Sequence, residues 1–340
     1  MTVTYEFDKK PGHGETQKVA DGVHWLRMPL PMELEHINLW LLEEDTGWAV
    51  VDTGIDTETS REVWRKTVAT VMSGKPIDHV VVTHLHPDHV GCAGWLVDEY
   101  EVDLWMAREE YLLCRILVAD TGRIAPKEGL RFYKAAGFPE EALERYIKLF
   151  GFFGKYVSPL PESYRRLKDG ETLEFAGHGW EIVVGRGHSL EHACLYDEKR
   201  NLFISGDQLL PTISSNVSVY PTEPLANPLR DWLESLQHLK SKLPEDVLVL
   251  PAHGRPFRGA HQRLDELTKE HTDGLDALYA LCAEPKRAID VFPALFKGRV
   301  TDRNMIMATG ESIAHLNYLV ADGGLGAYAD DDGVLWYEQT

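Results

Sequence analysis

The segment Thr83-His84-Leu85-His86-Pro87-Asp88-His89 constrains this chain more than any other. It follows directly on Val80-Val81-Val82, a β-branched run that predicts a strand. At the end of a strand, alternate residues point to the same side, so His84 and His86 can converge on one ion. Asp88 and His89 then turn to face a second. Imidazole nitrogen and carboxylate oxygen suit zinc and its neighbours in the divalent series. The competing reading, polar residues in a surface loop, requires these types at these spacings by accident.

The remaining ligands come in order, each just after a predicted strand. Gly187-His188-Ser189 follows Ile182–Val184, Gly206-Asp207 follows Leu202–Ser205, and Ala252-His253-Gly254 follows Val247–Leu250. Each alone reads as structural. Together with the first cluster they complete two coordination shells, a binuclear metal site. The strands alternate with helical patterns near 58–72, 91–98, 108–119, 127–136 and 139–150, the mark of a layered α/β fold. Functional residue types sit just beyond the strand ends, where open sheets place their chemistry.

Composition narrows the class. Of 340 residues 44% are hydrophobic, enough for a sizeable core. No apolar run approaches the roughly 18 to 20 residues that span a bilayer, so no membrane segment is expected. The polar N-terminus lacks the apolar stretch of a secretory signal, and Cys92, Cys114, Cys194 and Cys282 form no CxxC pair. Reduced thiols and a cytoplasmic location follow as expectations. The net charge of −19 repels polyanions and disfavours nucleic acid.

These motifs resemble the metallo-β-lactamase-fold hydrolase superfamily. The matching pieces are Asp52 in VDTG, THLHPDH at 83–89, GHS at 187–189, GDQ at 206–208 and AHG at 252–254. The resemblance implies an αββα sandwich over 1–260, with His84, His86 and His188 on the first metal. Asp88, His89 and His253 would hold the second, with Asp207 bridging. Asp52 would orient a ligand from behind, and His192 would lie behind the ligands as well. His36 and Asn38 fall where relatives bring a loop near the site. Residues 261–340, with RNMIMATGESIAHLNYLVADGGL, look like the winged-helix domain appended to a subgroup of these hydrolases.

Two divalent metals, zinc first and manganese or iron as alternatives, would lower the pKa of a bridging water from about 15.7 to about 7. The resulting hydroxide would attack a carbonyl or phosphoryl centre, with Asp88 and Asp207 as candidates to move a proton to the leaving group. Cys92 reads as a small buried thiol rather than a nucleophile. Antibiotic-hydrolysing relatives carry Cys or Ser in place of Asp207, and the familiar homoserine lactonases carry a tyrosine where this chain has Leu210. Both assignments are thereby weakened.

The segment 107–168 is an insertion rich in aromatic and basic residues; from 108 to 168 it holds 12 basic and 8 acidic side chains. It can fold over the metal edge as a lid for an anionic, amphiphilic small molecule, or pack as ordinary helices or a homodimer contact. The leading expectation is hydrolysis of an ester, thioester or lactone. The rivals are a phosphodiesterase or ribonuclease and a non-catalytic metal-binding regulator. Residues 263–340 carry 7 basic and 14 acidic side chains and end their turn in Asp330-Asp331-Asp332, a poor surface for phosphates.

Overall fold

The computed structural model describes residues 3–340 apart from 33 and 176. Strand β1 (Thr4–Tyr5) joins a sheet otherwise formed by the second half of the chain. The first half makes its own sheet from β2 (Thr16–Ala20), β3 (Val23–Pro29), β4 (His36–Glu43), β5 (Trp48–Val51), β6 (Ile77–Val81), β7 (Asp103–Met106) and β8 (Arg165–Arg166), in that order. Its first pairings are antiparallel. From β5 onward they are parallel, each needing a crossover. The crossovers are α1 (Glu58–Thr70), then α2 (Pro87–Val90) with α3 (Ala93–Tyr100), then α4 (Arg108–Ala119), α5 (Lys127–Ala135) and α6 (Glu140–Leu149). Thr57 caps α1 by accepting the Ser60 amide at 3.2 Å.

The second sheet takes β9 (Thr172–Phe175), β10 (His178–Gly185), β11 (His192–Asp197), β12 (Leu202–Gly206), β13 (Leu248–Pro251) and β14 (Phe257–Arg258), with β1 on its edge. Between β12 and β13 runs α7 (Pro228–Lys242), opened by the Asn227 side chain and by proline at its first position. That cap-and-proline signal marks a helix the sequence reading leaves out.

Strand alternation builds the layers. Val81, Ile182, Leu195, Ile204 and Leu250 point inward and, with Trp25, Trp40 and Trp180, fill the space between the sheets. Their neighbours Val80, Val82 and Leu104 point outward under Trp64 of α1, Leu96 of α3 and Tyr111 and Cys114 of α4. On the other side Val183, Cys194, Phe203 and Val249 point outward under Leu229, Trp232 and Leu236 of α7. The result is the expected αββα sandwich.

The chain continues through α8 (Ala260–Leu281), a 3-10 turn at Ala288–Val291, α9 (Phe292–Leu295), α10 (Met305–Ala321) and a hairpin of β15 (Leu325–Ala329) and β16 (Leu335–Gln339). Leu264, Leu278, Ala314 and Leu316 join the core outside the second sheet. No helix among the described residues is long and apolar enough to cross a membrane. The four cysteines are free and buried.

The aromatic insertion divides. Tyr133, Phe138 and Tyr146 are buried in a cluster that also takes Ile289, Met305 and Ile306 from the C-terminal part. Leu112, Ile116, Phe152 and Tyr156 stay exposed.

Candidate metal centre

Strand β6 ends at Val81, one residue earlier than expected, so the pleat does not aim the histidines. Hydrogen bonds do. Val82 donates to the Trp105 carbonyl at 2.9 Å, and the Thr83 amide donates to Oδ1 of Asp52 at 2.8 Å. Asp52 stands at the end of β5 in the left-handed region, φ 61°, a conformation aspartate tolerates. From there its carboxylate also takes the Thr83 hydroxyl, at 2.9 and 3.0 Å, and reaches Nδ1 of His89 at 2.8 Å.

Two groups of ligand atoms result. One draws on His84, His86, His188 and Asp207, the other on Asp88, His89 and His253; within each, the atoms lie within 4.8 Å of one another. Asp207 spans them. Its Oδ2 stands 3.4 Å from His188 Nε2, while its Oδ1 stands 3.5 Å from both His89 Nε2 and His253 Nε2. Asp88, in the first turn of α2, lies 3.4 Å from His253 Nε2.

His188 and His253 are oriented from behind. His188 Nδ1 donates to the Asn216 carbonyl at 2.7 Å, and His253 Nδ1 to the His36 carbonyl at 2.9 Å. Both therefore present Nε2 to the centre, the arrangement typical of metal-binding imidazoles. Asn38 steadies the His253 turn by donating to the Pro251 and Gly254 carbonyls, while accepting from Trp25. His192 stacks on His84 with ring centroids 4.6 Å apart, and its Nε2 accepts the Asp207 amide at 3.0 Å. Gly206 permits this: a Cβ there would fall 2.5 Å from the His192 ring.

The electrostatics suit cations. Burial, and then the neighbouring imidazoles, push His84 well down and His86 to about 3, leaving neutral lone pairs. Burial opposes charge on His89, yet Asp52, Asp207 and Asp88 raise its pKa well above the usual value. Burial would likewise raise Asp207, but His89 and His253 hold it well below the carboxylate range. Carboxylates buried this close together attract positive charge. His89 Nε2, His188 Nε2 and Asp207 Oδ1 are buried with no hydrogen-bond partner, and all three belong to the clusters. Orphaned buried donor and acceptor atoms of these types fit divalent metal ions.

Two further residues bear on the site. Cys92 is buried and pushed up to about 12, so it is no nucleophile. Glu110, in the first turn of α4, lies fully buried beneath both ligand loops. It accepts the Leu85 amide at 2.9 Å on Oε2 and the Glu191 amide at 2.8 Å on Oε1. Sequence reading misses Glu110 because its partners lie 25 and 81 residues away and no local pattern joins them.

Residues 32–253 match the metallo-beta-lactamase superfamily, and 275–340 match the metallo-beta-lactamase-like C-terminal domain. The chain is 39% identical to a beta-lactamase domain protein from Burkholderia ambifaria, with TM-score 0.91 over 99% of this chain and 98% of that one. A metallo-beta-lactamase family protein from Thermus thermophilus is 28% identical, with TM-score 0.80 over 95% of this chain and all of that one. The probable metallo-hydrolase YqjP of Bacillus subtilis is 26% identical over 92% of this chain and 96% of its own length. Two relatives at 24% identity are an atrochrysone carboxyl ACP thioesterase of Aspergillus fumigatus (78% of this chain, 51% of that protein) and a linear primary-alkylsulfatase of a Pseudomonas species (69% and 44%). Fold, site geometry and both family matches agree: the chain belongs to the metallo-β-lactamase superfamily and is a metallo-hydrolase.

Proposed function

We propose that this protein is a two-metal hydrolase of an ester, thioester or lactone whose substrate joins an anionic group to an apolar part. The observation that carries the two-metal reading is the Asp207 carboxylate, whose two oxygens face different ligand clusters. His84, His86, His188 and Asp207 are assigned to one ion, and Asp88, His89, His253 and Asp207 to the other. Bound divalent ions supply acidified water and polarise the bond under attack. Zinc is the first candidate for a nitrogen-and-oxygen donor set, with manganese and iron next.

The chain's own groups do the rest. His188 and His253 keep Nε2 free because their Nδ1 protons are committed to backbone carbonyls. Asp88 is the more open acid, its side chain 18% exposed against 11% for Asp207. Its carboxylate is assigned to accept the proton of the attacking water and return it to the departing oxygen or sulfur. Glu110 and Asp52 hold the ligand loops still while this happens.

The substrate class rests on exposed apolar side chains on the segments that carry the site. Leu190 lies two residues past His188, and Ile213 follows Asp207. Met32 and Leu34 lie in the turn before β4, whose first residue backs His253. Among the relatives, one is named as a thioesterase, and another as an alkylsulfatase, a name that joins an alkyl chain to an anionic sulfate. Phosphodiester cleavage is the weaker reading: Asp330 at the hairpin tip spends its carboxylate on the Asp332 and Val334 amides and the Trp336 indole, and leaves an acidic tip.

Two substrate panels test this. One holds aryl esters, lactones and acyl-CoA thioesters, the other aryl phosphodiesters and short RNAs, each run with the zinc- or manganese-loaded protein and with Asp207→Ala. Turnover confined to the acyl panel and lost in Asp207→Ala is expected. Turnover confined to phosphodiesters overturns the reading.

A further inference from the structure

The two ligand clusters are fastened from different parts of the chain. His89 is backed by Asp52 and His253 by the His36 carbonyl, and both of these supports lie on the first sheet or its turns. The other cluster depends on the segment that follows Asp207. There Ser215 Oγ donates to the Asp207 carbonyl, and the Asn216 carbonyl accepts from His188 Nδ1 at 2.7 Å.

That segment is held by the C-terminal helices. From α8, Arg263 donates to the Leu210 carbonyl at 2.9 Å and to the Ile213 carbonyl at 3.0 Å, and His271 Nε2 pairs with the Ser214 hydroxyl at 3.3 Å. From α10, Glu311 Oε2 accepts the Asn216 side-chain amide at 2.7 Å. The Gly310 carbonyl accepts the Val219 amide at 3.0 Å. Ser218 in turn donates to Asn216 Oδ1 at 2.5 Å. Gly310 makes the approach feasible: a Cβ would lie 2.7 Å from Ser218 Oγ and 3.0 Å from the Val219 carbonyl. The Asn216 peptide is thus clamped on its side chain by Glu311 and presents its carbonyl to a ligand histidine.

We propose that the C-terminal helices complete the first ligand cluster, with Glu311 acting through Asn216 as a positioning residue for His188. The role rests on the two-metal reading and adds site selectivity to it: the clamp serves the ion of His84, His86, His188 and Asp207 and leaves the other alone. It gives the C-terminal unit a task in the chemistry without contact with substrate. Burial pushes the Glu311 carboxyl up to about 7, so the neutral Glu311→Gln, which keeps an acceptor for Asn216, is the conservative change.

The test is metal binding by the full-length protein. Metal-free wild type, Glu311→Leu, Glu311→Gln and Asn216→Ala are titrated with cobalt(II), read by its visible d–d bands, and with zinc against a chromogenic chelator. Glu311→Leu should weaken one of two metals by about tenfold or more and the other by less than about threefold, while Glu311→Gln binds both within about threefold of wild type. Adding Glu311→Leu to Asn216→Ala should change little further, because both act through one contact. Equal weakening of both metals, or no weakening, overturns the proposal. A wild type that binds a single metal counts against the two-metal reading, and Glu311 is then judged on that metal by the same variants.

Discussion

Oδ2 of Asp52 lies 2.8 Å from Nδ1 of His89, and the same carboxylate holds the amide and hydroxyl of Thr83, the residue before His84. One buried acid therefore steadies ligands of both clusters. Asp52→Asn keeps a residue that tolerates the left-handed backbone while removing the charge. It should weaken metal binding by about tenfold to a hundredfold, and turnover with it. Chelator competition measures this, and unchanged affinity would show that the carboxylate's charge is not needed.

Glu110 ties Leu85 to Glu191 across two loops that carry ligands. Glu110→Ala orphans two buried amides, at about 1 to 3 kcal/mol each. Glu110→Gln can satisfy only one, since its amide nitrogen must face the other donor. Thermal melts should rank wild type above Gln and Gln above Ala. Equal melting temperatures would sink the clamp.

Two sets of buried groups give stability opposite slopes in pH. Glu311 titrates at about 7 when folded against 4.5 as a free side chain, so the native state binds the extra proton and stability falls as pH rises from about 4.5 to about 7. Burial holds His271 at about 3 and His315 at about 4, below the ordinary 6.5, so their contribution is lost as pH falls from about 6.5 towards those values. Glu311→Gln removes only the first slope. Its stability relative to wild type should improve by on the order of 2 to 3 kcal/mol between pH 5 and pH 8, read from denaturant midpoints. A pH-independent difference would contradict the buried-acid assignment.

Metal should stabilise the folded protein by mass action. At a hundred times its dissociation constant, zinc contributes about 2.7 kcal/mol per site, several degrees in melting temperature. Asp207→Ala, which removes the one group shared by both clusters, should lose most of that gain in a calorimetric scan. A full thermal response in Asp207→Ala would place the zinc elsewhere.

The clustered histidines and aspartates were readable because each sits in a short, chemically distinctive stretch beyond a strand, and Asp52 shares that property. Of the supports, Glu110 and Asn216 were not. Glu110 reaches partners through the packing of α4, and Asn216 matters through its backbone carbonyl, which any residue carries. Nothing in the pattern around Asn216 announces that Glu311, 95 residues on, will take its side chain. The layered fold was legible from alternation, since Val81 and Ile182 turn inward while their neighbours turn out. The aromatic run of the insertion was misleading as a unit, because helical spacing does not separate buried Tyr133 and Tyr146 from exposed Phe152 and Tyr156.

Each sheet is built almost wholly from one half of the chain, and each ligand cluster takes members from both. His84 and His86 come from the first half, His188 and Asp207 from the second; Asp88 and His89 from the first, His253 from the second. Neither half can assemble a cluster alone, so metal capture is expected to come late in refolding and to report the docking of the two halves. Followed by cobalt absorbance, its onset would time that docking, and ion supply during synthesis would matter for the His84 cluster only once Asp207 has emerged and for the other only once β13 and His253 have.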